Sequence, residues 1–472
     1  MSWQETPPYE VGILTDLNSW SGITANDYVN GLLTGGVWGN KDPDNGNITS
    51  LLYSYVPSGT YQLGSDYYYV WTWEDYEKAA IVKAMDAFSD VANITFTETD
   101  NLDVANISWA TLDNEDSYGA LGWAYTPVSG AYSGITTLNW EYYYYLGDQS
   151  LNPGSYYYLT ILHELGHSLG LGHPHGSNSY YGTFPGVSDG IGGDSGDNQL
   201  NGSPWTVMTY NDLDPDIGYT PVSTEIKGFL TGLGAFDIAA IQYLYGANES
   251  TNSGDDVYEL TSSLSGYKCI WDVGGNDTID ASNASGASSI DLRNATLNND
   301  DGGGGYVSQI NSQYVGYTIA YGTNSDSISC IIENAKGSSY NDTITGNSSS
   351  NVIEGRSGND TLIGGSGSDK LIGGDGSDTA SYSTSSSAVS INLFSSTFSG
   401  GDAEGDSLTS IENITGSDYA DTIIGDSQNN TLTGGSGDDN LTGGSGNDAL
   451  RGGSGSDTAS YSTSSSAVSI NL

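Results

Sequence analysis

Cysteine, basic side chains and long apolar runs are what this chain has least of, and each scarcity closes off a class of function. Cys269 and Cys330 are its only cysteines; they allow one disulfide or two free thiols, and they form no redox motif. Lys and Arg number 10 against 58 Asp and Glu, a formal charge of −48, which argues against nucleic acid or an anionic membrane surface as partner. No stretch is long and apolar enough to cross a bilayer, and the first residues lack the basic start and apolar run of a cleaved export signal. A chain of this balance attracts cations. Its 66 glycines suit turns and repeats better than helices, and 472 residues leave room for two or more domains.

Histidine is also scarce, with four in all, yet three fall in the stretch His163-Glu164-Leu165-Gly166-His167-Ser168-Leu169-Gly170-Leu171-Gly172-His173. On a helix His163 and His167 lie one turn apart on one face and reach a single zinc ion, while Glu164 is rotated toward water at the metal. Gly170 stands where the chain must leave the helix, and a left-handed conformation there returns His173 as the third ligand. His175 follows in a different register. It is expected beside the ligands or at the surface, with substitution for the third ligand as the alternative.

Downstream, Thr206-Val207-Met208-Thr209-Tyr210 makes the chain resemble the metzincins, whose zinc motif is followed by a methionine turn. Tyr two residues after that Met is the serralysin pattern, in which the phenol joins the zinc sphere at rest and supports the oxyanion in catalysis. Residues 88–98 and 236–248 are also similar to serralysins. The resemblance implies a zinc endopeptidase in which His163, His167 and His173 bind Zn2+, Glu164 is the base, Tyr210 the oxyanion partner and Met208 a structural floor. Residues 119–125 resemble the edge strand that pairs with substrate, an internal or capped strand being the other reading. Residues 176–202 depart from the serralysin wording, and the Tyr-rich runs 67–69 and 142–145 are unusual; packing is the expectation for those tyrosines.

From Gly337 an Asp or Asn recurs every ninth residue, at Asp342, Asn351, Asp360, Asp369 and Asp378, then at Asp421, Asn430, Asp439, Asp448 and Asp457. An apolar residue follows two positions after each, from Ile344 to Ala380 and from Ile423 to Ala459. A flexible linker needs neither feature. The pattern resembles the RTX nonapeptide, which implies a parallel β-roll whose turns hold Ca2+. Asp360, Asp369, Asp378, Asp439, Asp448 and Asp457 are the expected calcium ligands. The units at Asp342, Asn351, Asp421 and Asn430 lack the second glycine and are weaker candidates. Without calcium the stacked carboxylates would repel, so binding should couple to folding.

The expected fold is an α+β metzincin-like catalytic domain followed by an all-β parallel β-roll domain. Its expected divisions are a protease domain at 1–248, a β-rich junction at 249–336, a first repeat block at 337–382, a spacer at 383–415 and a second block at 416–472. Residues 377–393 return as 456–472, so the natural protein is expected to continue past Leu472. The repeats imply export by a one-step route through a C-terminal signal missing from this chain. The expected protein is a secreted monomer that takes zinc and calcium and cuts protein or peptide substrates. A non-catalytic calcium-dependent adhesin or surface-layer protein is the alternative, and a zinc enzyme acting on another bond is a third reading.

Overall fold

The computed structural model describes residues 11–13, 27–39, 48–127, 130–144, 148–175, 182–188, 193–211, 228–311, 316–321 and 330–462. Tyr145, parts of the segment 176–202 and the repeated copy beyond Ser462 lie outside them.

The N-terminal half is built on a five-stranded sheet. Its strands are β1 (Thr49–Tyr55), β2 (Ile94–Glu98), β3 (Ile107–Leu112), β4 (Gly122–Ala124) and β5 (Ile135–Asn139), in the spatial order β2-β1-β3-β5-β4. All pairs are parallel except the last, where β4 runs antiparallel to β5 and occupies the edge. Helix α1 (Asp75–Val91) starts at a capping box in which the Glu74 N–H donates to Glu77 Oε2 at 2.7 Å. It buries Ala80, Ile81, Ala84, Met85, Phe88 and Val91, the positions a helical period puts on one side. Helix α2 (Tyr156–Ser168) starts at Ser155, whose hydroxyl accepts from the Tyr158 N–H. From Ile161 onward α2 is buried on every side, because it packs against strands β4 and β5 of the sheet and against helix α1; helix α3 (Ala235–Tyr245) is likewise buried throughout.

The tyrosine runs depart from the packing expected of them. Tyr143 is buried, but Tyr67, Tyr69, Tyr142 and Tyr144 are exposed. Among the described residues the strand Asp66–Val70 pairs with Gly59–Leu63 in a two-stranded arm, and the face that carries Tyr67 and Tyr69 is exposed.

From Val257 the chain coils. Six parallel strands stack as Val257–Glu259, Thr278–Asp280, Asn334–Lys336, Val352–Ser357, Lys370–Asp375 and Ser407–Thr409. Facing them, a ten-stranded sheet carries Thr343–Thr345, Thr361–Ile363 and Thr379–Ser381, then continues through Asn413–Thr415 to Ala449–Ser454. Each coil is two nonapeptides, so partners sit 18 residues apart, as in Ile344↔Leu362↔Ala380 and Ile353↔Leu371. These five side chains are fully buried. Residues 249–336 and 383–415 supply strands to the same sheets as the repeats. On the last described coil the pattern weakens, with Leu450 half-buried and Ala459 exposed.

The two halves touch beside the methionine turn. The Asn299 Oδ1 accepts from Tyr28 and Asn198 at 3.0 and 2.9 Å, and its Nδ2 donates to Asp197 at 2.9 Å. Cys269 and Cys330 are buried free thiols, and burial pushes the Cys269 thiol up to about 12.

Candidate metal centre

Helix α2 delivers His163 and His167 to one point, and the turn after it brings His173 back. Gly170 makes that return possible: its φ is +105°, and a Cβ there would lie 2.3 Å from the Gly36 carbonyl oxygen. The three Nε2 atoms converge, with His163 and His167 each 3.0 Å from His173. The Nδ1 atoms of His163 and His167 lie 2.8 Å from the carbonyl oxygens of Val207 and Leu171. A carbonyl only accepts, so both Nδ1 atoms carry the proton and both Nε2 atoms present lone pairs. Burial pushes His163 and His167 down to about 3 and about 4 and lowers His173 further, which keeps the rings neutral.

Lone pairs facing each other in a buried site fit a cation. Three nitrogens at 2.0–2.1 Å from one tetrahedral zinc lie roughly 3.3 Å apart, close to the spacing found here. No other combination of described residues gathers three imidazoles.

Glu164 sits beside the triad, nearly buried, with its Oε2 unpartnered. Burial pushes its carboxyl up to about 8. It lies against β4: a Cβ on Gly122 would come within 2.9 Å of Glu164 Cγ and 2.7 Å of the Thr137 carbonyl oxygen. The Tyr210 hydroxyl is 2.9 Å from His173 Nε2, and its ring stacks on His163 at 5.4 Å. Met208 is fully buried below; a Cβ at Gly166 would meet its sulfur at 2.7 Å. All the residues expected at the zinc site are therefore neighbours.

Asp237 was not singled out by the sequence. Its buried carboxylate accepts from Thr206 Oγ1, the Val207 N–H and the Gly234 N–H at 2.6, 2.7 and 2.9 Å, and so anchors Val207, the residue whose carbonyl lies against His163. An acid in an otherwise apolar helix start was the available signal. His175, a neighbour or surface residue by its register, is buried and stacks on His173 at 5.1 Å.

In the roll the recurring acids form ladders along the coil axis. The Oδ1 of Asp360, Asp369, Asp378 and Asp439 accepts from the backbone N–H 18 residues earlier, at 2.8 Å in each case. Their Oδ2 atoms are buried and unpartnered. The turn glycines 355, 364, 373 and 434 leave the room: a Cβ there would lie 2.4, 2.3, 2.5 and 2.1 Å from those oxygens. A stranded carboxylate oxygen in a glycine turn fits a hard cation such as Ca2+. Asp448 and Asp457 continue the ladder at 3.0 and 3.1 Å but are half-buried and exposed.

The four weaker units are filled from within. Asp342 Oδ2 accepts from the Ser338 N–H and hydroxyl at 2.6 and 3.0 Å, and Asp421 Oδ2 accepts from Ser417 at 2.6 and 3.1 Å. Asn351 and Asn430 instead accept at Oδ1 from the N–H groups of Asn347 and Asp426, at 2.9 Å in each case. A further acidic group missed by the sequence reading joins Asp256, Asp272 and Asp277, with one oxygen of each within 4.8 Å and Asp277 Oδ2 unpartnered. Its signal was Gly274-Gly275-Asn276-Asp277, worded like a repeat turn.

Comparison with known proteins agrees with both halves. Residues 58–184 match the matrixin family, and residues 332–362, 345–380, 409–441 and 424–459 match the RTX calcium-binding nonapeptide repeat. The chain carries a matrixin domain and four RTX calcium-binding repeats. It is 34% identical to a serralysin of Proteus mirabilis over 238 residues, 45% of each chain. It is 36% identical to serralysin C of Dickeya chrysanthemi over 282 residues, 55% of this chain and 51% of that one. Metallopeptidase AprA of Pseudomonas marginalis is 32% identical over 286 residues, 57% of this chain and 53% of that one. The chain thus spans about half the length of these curated relatives. Among its described residues, no helix is long and apolar enough to cross a membrane.

Proposed function

We propose that this serralysin-like chain is a secreted zinc endopeptidase whose roll is stabilised by calcium. The observation that carries the reading is the convergence of three neutral imidazoles beside an unpartnered, buried Glu164. When held by His163, His167 and His173, zinc would supply Lewis acidity toward the scissile carbonyl and toward water.

The chain's own residues do the rest. Glu164, held close to neutral pH by burial, accepts the proton of the attacking water and returns it to the leaving nitrogen. Tyr210 donates its hydroxyl to the oxygen that gains charge. Substrate enters as an extended strand along β4. Leu121 and Tyr125 bond inward to Asn139 and Ile135, so antiparallel alternation turns the peptide groups of Gly122 and Ala124 outward, toward an added strand. The adhesin alternative gives Glu164 nothing to do.

The deciding experiment is casein hydrolysis by the calcium-loaded chain beside Glu164→Ala and beside protein stripped of zinc and resupplied. A loss of about 10²- to 10⁴-fold in Glu164→Ala, with zinc content retained, is the expected result. A folded, zinc-loaded protein that cuts as well without the carboxylate, or not at all, sinks the proposal.

A further inference from the structure

The tyrosine-rich runs are the part of the catalytic half that the zinc site leaves without a task. Side chains alternate along the strand Asp66–Val70, so Tyr67 and Tyr69 share a face and Trp71 follows in the same alternation. These three are 66%, 43% and 39% exposed. Their rings lead on to the short helix Trp140–Tyr144. Tyr69 meets Trp71 at 5.1 Å, Trp71 meets Trp140 at 5.1 Å, and Trp140 meets Tyr144 at 5.2 Å. An aromatic ladder thus runs from the arm to the helix that follows β5.

Acids are wired into this ladder. Asp116 Oδ2 accepts from the Tyr69 N–H at 2.6 Å, and Glu141 Oε2 accepts from the Asn114 N–H at 3.2 Å. The Tyr142 hydroxyl donates to the Gly119 carbonyl at 3.1 Å. The loop that carries Asp113, Glu115 and Asp116 therefore lies against both ends of the ladder, and it continues through Leu121 into β4, the strand along which substrate is read to lie. Between Lys41 and Lys227 the only bases in the chain are Lys78 and Lys83. Both are on α1, and the Lys78 ammonium lies over the Tyr55 ring at 4.9 Å. Among the described residues, no base forms an ion pair with Asp113, Glu115, Asp116 or Glu141.

That combination selects a class of ligand. The face of an aromatic ring attracts a guanidinium or ammonium group, and carboxylates beside it strengthen that attraction and repel an acidic segment. We propose that the ladder is a substrate subsite for cationic, Arg- or Lys-rich segments, placed at the start of β4 so that a chain held on it passes to the edge strand. The inference rests on the endopeptidase reading above and gives that enzyme a substrate class.

The probe is a labelled Gly/Ser peptide of about 20 residues carrying several Arg, beside its Glu counterpart. Each is titrated by fluorescence anisotropy into the full, calcium-loaded chain at near-physiological salt, with Glu164→Ala present throughout so that the probe stays intact. The Arg peptide should bind and the Glu peptide should not. Tyr69→Ala and Trp71→Ala, tested separately and each checked for folding by circular dichroism, should weaken binding roughly two- to fivefold, the worth of one exposed cation–ring contact. Glu115→Gln combined with Glu141→Gln should weaken it about twofold, an effect that fades in molar salt. In the active protein the Arg peptide should inhibit casein hydrolysis competitively, and less so in Trp71→Ala. No binding of the Arg peptide, equal binding of the Glu peptide, or undiminished binding in the folded ring variants overturns the proposal. Tighter binding of maltohexaose than of the Arg peptide also overturns it, in favour of a glycan. A bound Arg peptide that leaves casein hydrolysis untouched overturns the ladder's place as a substrate subsite. Unaltered protein that cuts no casein fails the endopeptidase reading instead, and the binding comparison still decides whether the ladder takes cations.

Discussion

The imidazole centre and the roll both gather side chains of the kind that hold metal ions, but they stand differently toward the ions proposed for them. At the centre, His163 and His167 are oriented by the carbonyls of Val207 and Leu171, so the site keeps its shape whether or not it is filled. In the roll, Asp360, Asp369, Asp378 and Asp439 spend one oxygen on the neighbouring coil and strand the other. Burial, with the neighbouring acids adding to it, pushes Asp360 up to about 6; burial, with Asp406 and Asp402 adding to it, pushes Asp369 up to about 7. The first region is a preorganised tool that accepts an ion. The second is a scaffold whose own geometry is unfavourable until cations arrive.

The largest effect should come from removing each metal in turn. Calcium withdrawal at pH 8 should abolish the roll's cooperative melting transition and most of its strand signal in circular dichroism. Zinc withdrawal should leave both in place and lower the melting temperature by only a few degrees, roughly what losing one native-state ligand does in a chain of this size. A roll that melts normally without calcium, or a catalytic half that unfolds without zinc, would erase the contrast.

Next in size is a change confined to the tool. Gly122→Ala puts a methyl 2.9 Å from Glu164 Cγ and 2.7 Å from the Thr137 oxygen, so either β4 or the carboxylate must shift. Displacement of this order costs about 10- to 100-fold in kcat, with the calcium dependence of folding unchanged. Normal turnover would show that β4 does not set the position of Glu164.

Acid should partly replace calcium. In the unfolded chain Asp360 and Asp369 titrate near 3.9, whereas in the calcium-free roll they titrate at about 6 and about 7. Between those values the folded state holds more protons, so its stability rises as pH falls toward 5 and is lost as pH climbs through 7. Calcium needs the ionised form, so its affinity runs the other way and strengthens with pH across the same window. Strand signal that returns in dialysed, calcium-free protein at pH 5, with a lower calcium midpoint at pH 8 than at pH 6, is the expected pair. A pH-independent midpoint would mean that these carboxyls are not the ligands.

Much of this was legible in the residues because short spacings encode it. The zinc-type motif fixes which side chains share a helix face, and a glycine closes a largely apolar helix, as Gly246 does after Ala235–Tyr245. The nonapeptide period gives both the turns and the inward Ile and Leu. What stayed hidden depends on distant partners. Gly122 reads as an ordinary strand glycine until Glu164 is found against it. Asp237 matters only because residues 30 positions away need its oxygens. The roll begins at Val257, well before the period does, since strands such as Thr278–Asp280 join the sheet by register where the repeat wording occurs without recurring every nine residues.

The finest form of the comparison lies inside the roll. Asp342 and Asp369 hold corresponding places in their turns, yet Asp342 has the Ser338 hydroxyl and N–H where Asp369 has an empty oxygen. Asp369→Asn should therefore raise the calcium midpoint by tenfold or so, because it removes a charged ligand from an otherwise open turn. Ser338→Ala removes a hydroxyl that contacts both Asp342 oxygens, at 2.8 and 3.0 Å. It should cost about 1–2 kcal/mol of stability in calcium-saturated protein and leave the midpoint where it was. The same Gly-Ser-x-Tyr-x-Asp wording opens the second block at Gly416, where Ser417 bonds Asp421 in the same way. If Ser338→Ala moved the calcium midpoint as far as Asp369→Asn does, the serine would be part of an ion site. If it does not, each block opens on a turn that holds itself closed, giving the calcium-dependent coils a preformed edge to stack against.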